Sequence, residues 1–347
     1  MNNLQDLNKN LNENIINIRN NYDLEKEKEE NEEKTYNDFI ILEEEKKNII
    51  VKPFYNNYNQ AIKIFKNQEL PKQLQIWTDE LFKKEKKFNL FKKKEWYRPS
   101  EINDKKYYII KNKPEIKNVR QSKNIKDRYF FSALCALCEK CKNTDIIKNL
   151  FYITEMTEEK AYGVYFYIKG IRQLILIDDY FLYSFNNDTK KMDLYYSSSY
   201  EESELWVSLL EKAWAKLKGS YKNVDKGTVK EAFYALTGDY TKQVKIKPGE
   251  SENIWNILNN NKDYSICATL EKEYEYILIE TIEDKKNKIR KIKLKQPYGD
   301  IDNKIVKILT KDPYSFIDGN GIFIINYQIF VKNFDLLDIN YFKPGKK

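Results

Sequence analysis

The residues best suited to chemistry in this chain are its thiols. Cys135, Cys138 and Cys141 form a C-x-x-C-x-x-C pattern, and Cys267 could serve as a distant fourth ligand. Such a set could hold zinc or an iron–sulfur cluster, and a single thiolate could attack a carbonyl. On a helix the three clustered thiols would fan over roughly 120°, whereas metal sites usually set such ligands on a turn. The pattern therefore favours buried structural thiols over a metal site or a relocated nucleophile.

The sequence contains no histidine. Histidine is the only side chain whose ordinary pKa lies near neutral pH, and it is the usual general base for a serine or cysteine nucleophile. Cys135 as a nucleophile would have no imidazole to activate its thiol. Histidine is also a common metal ligand, so we expect neither a metal nor another cofactor.

Three regions of different character must position these residues. Residues 1–68 are rich in Asn and Glu, and their sparse apolar residues recur at three- and four-residue spacing. This spacing predicts an amphipathic helix followed by a charged helix or linker. From about residue 69, dense aromatic and aliphatic patterning predicts a folded core. Its first part, 69–240, is expected to be mainly helical, and its second part, 241–347, mainly β-strand.

The periodicity of the apolar residues places the elements within this core. The predicted helices are Arg128–Lys142, Leu205–Leu217 and Thr228–Leu236, and a hairpin that ends in an acidic turn is predicted over Gly163–Tyr183. The predicted strands of an antiparallel sheet are Tyr264–Leu270, Tyr276–Ile282, Ile289–Leu294, Ile305–Leu309 and Ile322–Ile325. Helices followed by strands predict an α+β fold.

Several of these segments together resemble the protease core of the calpain family. Glu204–Gly238 is similar to the family stretch that begins with Leu-Trp, continues through Leu-Leu-Glu-Lys-Ala-Tyr-Ala-Lys-Leu and Gly-Ser-Tyr, and ends at Leu-Thr-Gly. Further matches keep the family order: Glu95–Pro99, Gln121–Leu137, Ile177–Asp179, Leu294–Gly299 and Gly321–Phe330. The resemblance covers residues 70–342. It implies a papain-like calpain protease core with a helical subdomain and an antiparallel β subdomain, preceded by an N-terminal helical extension.

Calpain-like enzymes cut peptide bonds with a Cys-His-Asn triad, and the resemblance places different residues at all three positions. Arg128 stands at the nucleophile position, where a guanidinium offers no lone pair and cannot be deprotonated. Tyr274 stands at the histidine position, and its ordinary pKa near 10 makes it a poor base at pH 7. Gln296 replaces the asparagine. The resemblance therefore implies the fold of a cysteine protease without its activity.

The loop before Arg128 also departs from the family pattern. Gln121 keeps the glutamine of the oxyanion hole, but the loop is one residue longer than in the family and lacks both glycines. Because buried arginines tend to pair with carboxylates, we expect Arg128 to form a salt bridge with Asp127. This pair would fill the former cleft.

The calcium positions of the family are changed as well. Asn118, Asn320 and Ile322 stand where the family has acidic ligands. Hard cations need several oxygen ligands, usually with carboxylates among them, so calcium is not expected to bind. Asp178 and Asp179 remain, and we interpret them as a structural turn.

Charge and cysteine content bound the setting of the chain. The net charge of +8 is spread over interleaved acidic and basic residues, which does not by itself indicate a nucleic-acid partner. Few cysteines, no signal-peptide pattern and no run of about 18 apolar residues predict a cytoplasmic protein without a membrane partner. The basic stretch Lys83–Lys94 interleaves lysines with apolar residues, and a solvated amphipathic segment is its ordinary explanation.

We therefore expect a catalytically inactive calpain-like domain that is not an enzyme and binds protein partners within a multi-subunit assembly. Calpain-like domains that lack the triad occur in cytoskeletal and ciliary proteins, so the resemblance favours that setting. Three alternatives stay open. The chain could be a peptide-binding regulator of an active calpain, a hydrolase with relocated machinery, or a binder of nucleic acid or an anionic surface through Lys83–Lys94.

Overall fold

A computed structural model describes Asp79, Phe82 and residues 94–342, apart from gaps at 112, 115–117, 141–144, 159, 262, 273, 285, 288, 298–302 and 320. These residues all belong to one compact unit. The predicted N-terminal extension, residues 1–68, lies outside the described residues. So do Cys141 and all of the basic stretch Lys83–Lys94 except its last residue.

The described residues form eight helices and fourteen strands. The helices are α1 (Pro99–Ile102), α2 (Arg128–Lys140), α3 (Ile146–Leu150), α4 (Trp206–Leu217), α5 (Val229–Thr237), α6 (Ser251–Asn260), α7 (Asn303–Leu309) and α8 (Tyr327–Asn333). The strands are β1 (Lys94–Tyr97), β2 (Val119–Arg120), β3 (Ala161–Ile168), β4 (Ile171–Asp178), β5 (Phe181–Asn186), β6 (Lys191–Leu194), β7 (Ser198–Ser199), β8 (Thr241–Lys245), β9 (Ser265–Leu270), β10 (Tyr274–Asp284), β11 (Ile289–Lys295), β12 (Phe316–Gly319), β13 (Ile322–Asn326) and β14 (Phe334–Asn340).

A seven-stranded sheet organises the second part of the chain. Its strand order is β12-β13-β11-β10-β9-β14-β8, and each neighbouring pair is antiparallel. β9 is buried along its whole length, because side chains from both faces of this central strand enter apolar cores. Cys267 faces one core, whereas Ile266 and Ala268 face the other.

The two cores hold different parts of the chain. The first core draws on residues 109–236 and on Cys267 and Ile277 of the sheet. The second core draws only on residues 246–339. Burial of apolar area is the main favourable contribution to such packing. The mixture of helices with antiparallel sheets confirms the α+β class at this level. Among the described helices, none has the length and apolar character needed to cross a membrane.

Helix α2 connects the two cores. Its positions 129–137 are all buried, as the nearly continuous apolar pattern predicts. The helix packs on α5 and on strands β9 and β10. Ser265 of β9 donates a hydrogen bond to the carbonyl of Ala136 at 3.2 Å, and the Cys267 thiol donates to the carbonyl of Ser132 at 3.5 Å. These bonds fix the direction of α2 across the sheet.

The ends of α5 follow directly from its sequence. The Thr228 hydroxyl accepts a hydrogen bond from the backbone N–H of Glu231, which is the usual N-cap arrangement. At the other end Gly238 adopts a left-handed conformation with φ +72°, which costs glycine least among the residues. The predicted helices over 128–142, 205–217 and 228–236 are confirmed to within two residues at each end that the structure describes.

Two predictions about elements need correction. The segment Ile305–Leu309, predicted as a strand, lies in helix α7. A five-residue apolar run fits either element, and burial of Ile305 and Leu309, four residues apart, selects the helix. The hairpin predicted over Gly163–Tyr183 is formed by β3 and β4 and ends at Asp178. The last residues of the predicted range belong to β5, which pairs with β1 and β6 in a different sheet.

Candidate functional site

The N-terminus of α2 is the centre of the candidate site. The backbone carbonyl of Asp127 accepts the first hydrogen bond of the helix from the N–H of Phe130, at 2.9 Å. Arg128 is therefore the first residue of α2 and sits at the edge of the buried apolar stretch that follows. Its side chain retains 20% exposure.

Strand β10 supplies the groups that hold the Arg128 guanidinium. The Nε atom of Arg128 lies 3.5 Å from the Oε2 atom of Glu275, whose side chain is 11% exposed. The guanidinium carbon is 5.3 Å from the centre of the Tyr274 ring and 5.8 Å from that of the Tyr276 ring. Both distances lie within the range of a cation–π interaction. One ion pair and two aromatic contacts thus fix the arginine against the sheet.

The predicted salt bridge between Arg128 and Asp127 is wrong. The acidic partner of Arg128 is Glu275, and the Asp127 carboxylate accepts a hydrogen bond at 3.0 Å from the side-chain amide of Gln121. Asp127 is fully buried at the start of the helix, where its side chain turns toward α4 rather than toward the sheet. Adjacent residues at a helix start point in different directions, which sequence proximity alone does not reveal.

Asp127 and Glu211 form a buried carboxyl pair. Glu211 of α4 receives hydrogen bonds from the backbone N–H of Ser197 at 3.0 and 3.1 Å, and its carboxyl contacts Asp127. Burial is the main cause that raises the pKa of Asp127 to about 6, and burial together with the Asp127 charge raises the pKa of Glu211 well above its ordinary value. Two adjacent buried carboxyls favour the state in which they share a proton.

Gln121, the predicted oxyanion-hole residue, is half-buried and lies beside the Asp127–Glu211 pair. Its amide nitrogen donates to Asp127 Oδ1. The Oδ2 atom of Asp127 is buried and accepts from no N–H or hydroxyl of the described residues. A protonated Glu211 is the group positioned to donate to it. Gln121 and Glu211 therefore satisfy the two oxygens of Asp127.

Tyr274, at the predicted histidine position, begins strand β10 next to Arg128. The ammonium of Lys304 lies 5.0 Å from the centre of its ring and also pairs with Glu271. Two cations thus contact the faces of a single phenol ring, which favours the arrangement through the ring quadrupole. The structure brings the first two predicted triad positions into direct contact.

Gln296, at the predicted asparagine position, directly follows β11 and is buried. Its backbone N–H donates to the carbonyl of Gly321 at 2.8 Å, which ties the end of β11 to the start of β13. The next residue, Pro297, accepts a hydrogen bond from the Cys135 thiol at 3.4 Å. Gln296 therefore lies beside the middle of α2, whereas Arg128 and Tyr274 meet at its N-terminus.

The described thiols are held as structural groups. Cys135 and Cys267 are buried, and burial raises the pKa of both thiols well above the ordinary value. Cys138 is half-buried. Within the part of the chain that the structure describes, no three Cys, Asp or Glu side chains are grouped so that they could hold a metal ion.

The acidic turn predicted from Asp178 and Asp179 carries several ion pairs. Asp178 pairs with Lys212, and Asp179 pairs with Arg98. Asp178 also accepts a hydrogen bond from the backbone N–H of Asp79 at 2.8 Å. These carboxylates join α4, β4 and the segment before β1.

The residues at the predicted calcium positions make other contacts. The carbonyl of Asn118 accepts from the N–H of Tyr200 at 2.8 Å, and Ile322 begins β13. Asn320 lies outside the described residues. The side chains of Asn118 and Ile322 carry no negative charge, whereas hard cations such as calcium usually bind carboxylates.

Sequence reasoning missed three residues of this site. Tyr276 could have been found from strand alternation, because it shares a face with Tyr274 two residues earlier. Glu275 lies between them and carries the only negative charge among these three positions. Glu211 stands out as an acidic residue in the apolar stripe of α4, a signal that indicates a buried polar partner.

The chemistry available around Arg128 follows from these groups. The described side chains there are a guanidinium, two phenols, an amide and three carboxyls, of which Asp127 and Glu211 share a proton. They can hold one another in place through ion pairs, hydrogen bonds and cation–π contacts. A thiol beside an imidazole, which cysteine-protease chemistry requires, is not available in a sequence without histidine.

Comparisons with a family model and with individual known proteins all point to the same family. A family model described as calpain family cysteine protease matches residues 65–340. The calpain-type cysteine protease ADL1 of Oryza sativa subsp. japonica is 31% identical over 165 residues, which are 46% of this chain and 7% of that protein. Calpain-14 of Homo sapiens is 29% identical over 228 residues, which are 60% of this chain and 31% of the human protein.

A nematode relative shows a similar relation. Calpain clp-4 of Caenorhabditis elegans is 32% identical over 163 residues, which are 45% of this chain and 20% of that protein. In each of these three comparisons the matched part is less than a third of the relative's own length.

Proposed function

The chain belongs to the calpain family of cysteine proteases, and from that premise we propose that it is a papain-like calpain core without peptidase activity. In this proposal the subdomains are residues 69–240 and 241–347, and the protein works as an interaction or structural module. Calcium and cofactors have no part in it. The observation that carries the proposal is the environment of Arg128 at the start of α2.

Arg128 stands at the nucleophile position of the family and is engaged there on several sides. Glu275 neutralises its charge, and the rings of Tyr274 and Tyr276 contact its guanidinium. A guanidinium has no lone pair to offer a carbonyl carbon. These contacts also stabilise the side chain in the space where a substrate carbonyl would have to approach, so the same residues oppose both attack and access.

The remaining positions of the triad support the same conclusion. Tyr274 places a phenol where the family has an imidazole, and two cations lie within cation–π distance of its ring. Gln121 directs its amide toward Asp127, so that this donor is engaged with a carboxylate. An oxyanion hole needs donors aimed at the position of the developing oxyanion.

A relocated thiol is the enzyme alternative, and Cys135 is its strongest candidate. Cys135 is buried, donates to the carbonyl of Pro297, and has a raised pKa. The nucleophilic form of cysteine is the thiolate, and reactive cysteines have lowered pKa values in partly exposed, electropositive surroundings. The surroundings of Cys135 disfavour that form.

The regulator alternative requires an open cleft beneath Arg128 and Tyr274. Their mutual contact and the nearby Glu275 carboxylate oppose it, because a peptide would have to displace an ion pair and a cation–π contact. We favour an interaction module that uses other surfaces of the fold and binds protein partners in a multi-subunit assembly. The cytoskeletal or ciliary setting stays a prediction that rests on the resemblance.

Reaction with an active-site-directed reagent tests the proposal. The chain is incubated with a peptidyl epoxide that alkylates protease thiolates, and adducts are counted by intact-mass spectrometry from pH 5 to 9. We expect no thiol to react faster than free cysteine, and the rate should rise with pH as for an ordinary thiol. A single cysteine labelled about tenfold faster than free cysteine, with a rate that levels off below pH 7, would contradict the proposal.

A further inference from the structure

The two edges of the seven-stranded sheet differ in character. At one edge, β8 exposes Lys242 and Lys245, and charged side chains are a common protection against pairing with another strand. At the other edge, β12 presents Phe316 and Ile317, which are 46% and 48% exposed. No strand of the described residues pairs with the outer side of β12.

A third apolar side chain enlarges the exposed area beside β12. Tyr314, two residues before the strand, is 49% exposed. The segment from Tyr314 onward is held against β13, because the Ser315 hydroxyl accepts a hydrogen bond from the backbone N–H of Asn326 at 2.9 Å. The edge is therefore a fixed feature of the sheet, and its apolar side chains remain in contact with water.

Strand β11, separated from this edge by β13, is rich in basic residues. The sequence 284–295 includes seven Lys or Arg residues and one acidic residue, Asp284, and four of the seven lie in β11. Arg290 pairs with Glu252 and Glu283, and Lys295 pairs with Glu139. Over the sequence 284–295, basic residues outnumber acidic ones.

Lys291 brings this charge to the edge. Its ammonium lies 5.9 Å from the centre of the Tyr314 ring and 5.7 Å from that of the Phe316 ring. The two rings and the cation lie together on one face of the sheet, and Ile317 lies on the opposite face of β12. We name these four residues, Lys291, Tyr314, Phe316 and Ile317, the β12 edge surface. Apolar rings beside a cation complement a segment that alternates apolar and acidic residues.

We propose that the β12 edge surface binds an extended acidic segment of a partner protein, which adds as a further strand to the sheet. The added strand would lie about 4.8 Å from β12, with its main chain bonded to the free edge. Its apolar side chains would lie on the face of Ile317, and its carboxylates, on the opposite face, would lie beside Lys291 and the rings of Tyr314 and Phe316. This inference names a surface for the proposed interaction module.

An acidic peptide strand fits this surface better than a nucleic acid does. A strand edge offers backbone N–H and C=O groups at the spacing of another peptide strand, which a sugar-phosphate backbone does not match. Among the described residues, Lys291 is the cation that lies within 6 Å of these two rings, whereas nucleic-acid grooves commonly align several cations along the backbone. The test below includes a nucleic acid for this reason.

Binding of designed peptides to the full chain tests the inference. The probe is a fluorescein-labelled peptide of sequence Glu-Val-Glu-Val-Glu-Val-Glu, its counterpart has Lys in place of Glu, and a single-stranded oligothymidine represents nucleic acid. Fluorescence anisotropy should show the acidic peptide bound at least about tenfold more tightly than the lysine peptide and the oligonucleotide. Lys291→Glu, which reverses the charge, and Ile317→Ser, which removes the apolar contact on the other face, should each weaken it by about tenfold or more.

Control variants separate edge binding from general charge effects. Lys245→Glu removes the same charge at the opposite edge and should leave the affinity for the acidic peptide unchanged. Thermal unfolding of each variant checks that the fold is kept. Equal binding of the two peptides, tighter binding of the oligonucleotide, or an affinity unchanged in Lys291→Glu would overturn the inference. Peptidase activity is measured separately, so a failure of the proposed function would leave this result interpretable.

Discussion

Helix α4 contributes to two groups of buried charge, and they are balanced in different ways. The first, which we name the α4 ion network, consists of Asp79, Arg98, Asp178, Asp179, Lys212 and Lys216. The second is the Asp127–Glu211 carboxyl pair at the start of α2. The network contains three carboxylates and three cations. No Lys or Arg of the described residues forms an ion pair with the carboxyl pair, and a proton takes that place.

The difference shows which buried charges a fold retains as ions. In the network burial opposes the ionisation of Asp178, but the charge and hydrogen bond of Lys212 together with the backbone N–H groups of Asp79 and Tyr180 lower its pKa. Burial raises the pKa of Asp179, although Arg98 lies beside it. At the carboxyl pair, burial dominates and the pKa of both groups rises. A cation and several N–H donors favour the carboxylate of Asp178, whereas burial beside another carboxyl favours the protonated form. Asp178 and the carboxyl pair therefore make opposite contributions to the pH dependence of stability.

Removing a cation from the network should give the largest effect. Lys212 is buried, and Lys212→Met would leave Asp178 as a buried carboxylate without its nearest cation. We expect a loss of about 3–5 kcal/mol in the free energy of unfolding, measured by urea denaturation at pH 7. Lys191→Met, at an exposed position, serves as the control. A loss no larger than that of the control would show that the network does not depend on matched charge.

The carboxyl pair should make the free energy of unfolding depend on pH. Its raised pKa values mean that the native state binds protons more tightly than the unfolded chain does, so its contribution to stability is complete below about pH 4 and falls as the pH rises through about 6. In Glu211→Gln the amide can donate to Asp127 without a proton that titrates. We expect the variant to gain about 1–3 kcal/mol over the wild type between pH 5 and 8.

Urea unfolding at several pH values measures this gain, with Glu250→Gln at an exposed position as the control. Parallel curves for wild type and Glu211→Gln would mean that the pair does not hold a proton in the native state.

The Arg128–Glu275 pair is only partly exposed and should have an intermediate effect. Arg128→Met removes the cation and leaves the largely buried Glu275 carboxylate without it, which should cost about 1–2 kcal/mol. Adding Glu275→Gln should recover part of this loss, because the remaining neutral amide is cheaper to bury. A double-mutant cycle by thermal unfolding measures the coupling. If the losses simply add, the ion pair contributes nothing to stability.

The Lys304–Glu271 pair should have the smallest effect, since both side chains are at least one-third exposed. Lys304→Met should change the free energy of unfolding by less than about 1 kcal/mol, and this small difference should shrink further in high salt. Urea denaturation at two salt concentrations provides the measurement. A loss equal to that of Lys212→Met would remove the distinction between buried and exposed pairs.

Local signals in the sequence were enough to place many elements. The Thr228 cap and the Gly238 stop define α5, and the continuous apolar stretch after Arg128 defines α2. The segment Ile305–Leu309 was not decided by its pattern, because a short apolar run fits a strand or a helix and tertiary packing selects between them.

The site was harder to predict than the elements. The positions of Arg128 and Tyr274 came from the resemblance, but the partner of Arg128 did not, because Glu275 reaches it only through the packing of α2 on β10. The Asp127–Glu211 pair likewise joins two distant helices. Contacts between distant elements depend on the whole fold, which no local pattern encodes.

Turnover of a protein substrate tests the proposed lack of peptidase activity most directly. Fluorescein-labelled casein is incubated with the full chain, with and without calcium, beside a variant in which all four cysteines are replaced by serine. We expect both proteins to release fluorescent peptides at the rate of the buffer blank. Release above the blank by the wild-type chain, absent from the cysteine-free variant, would show that the chain is a peptidase and contradict the role assigned to Arg128.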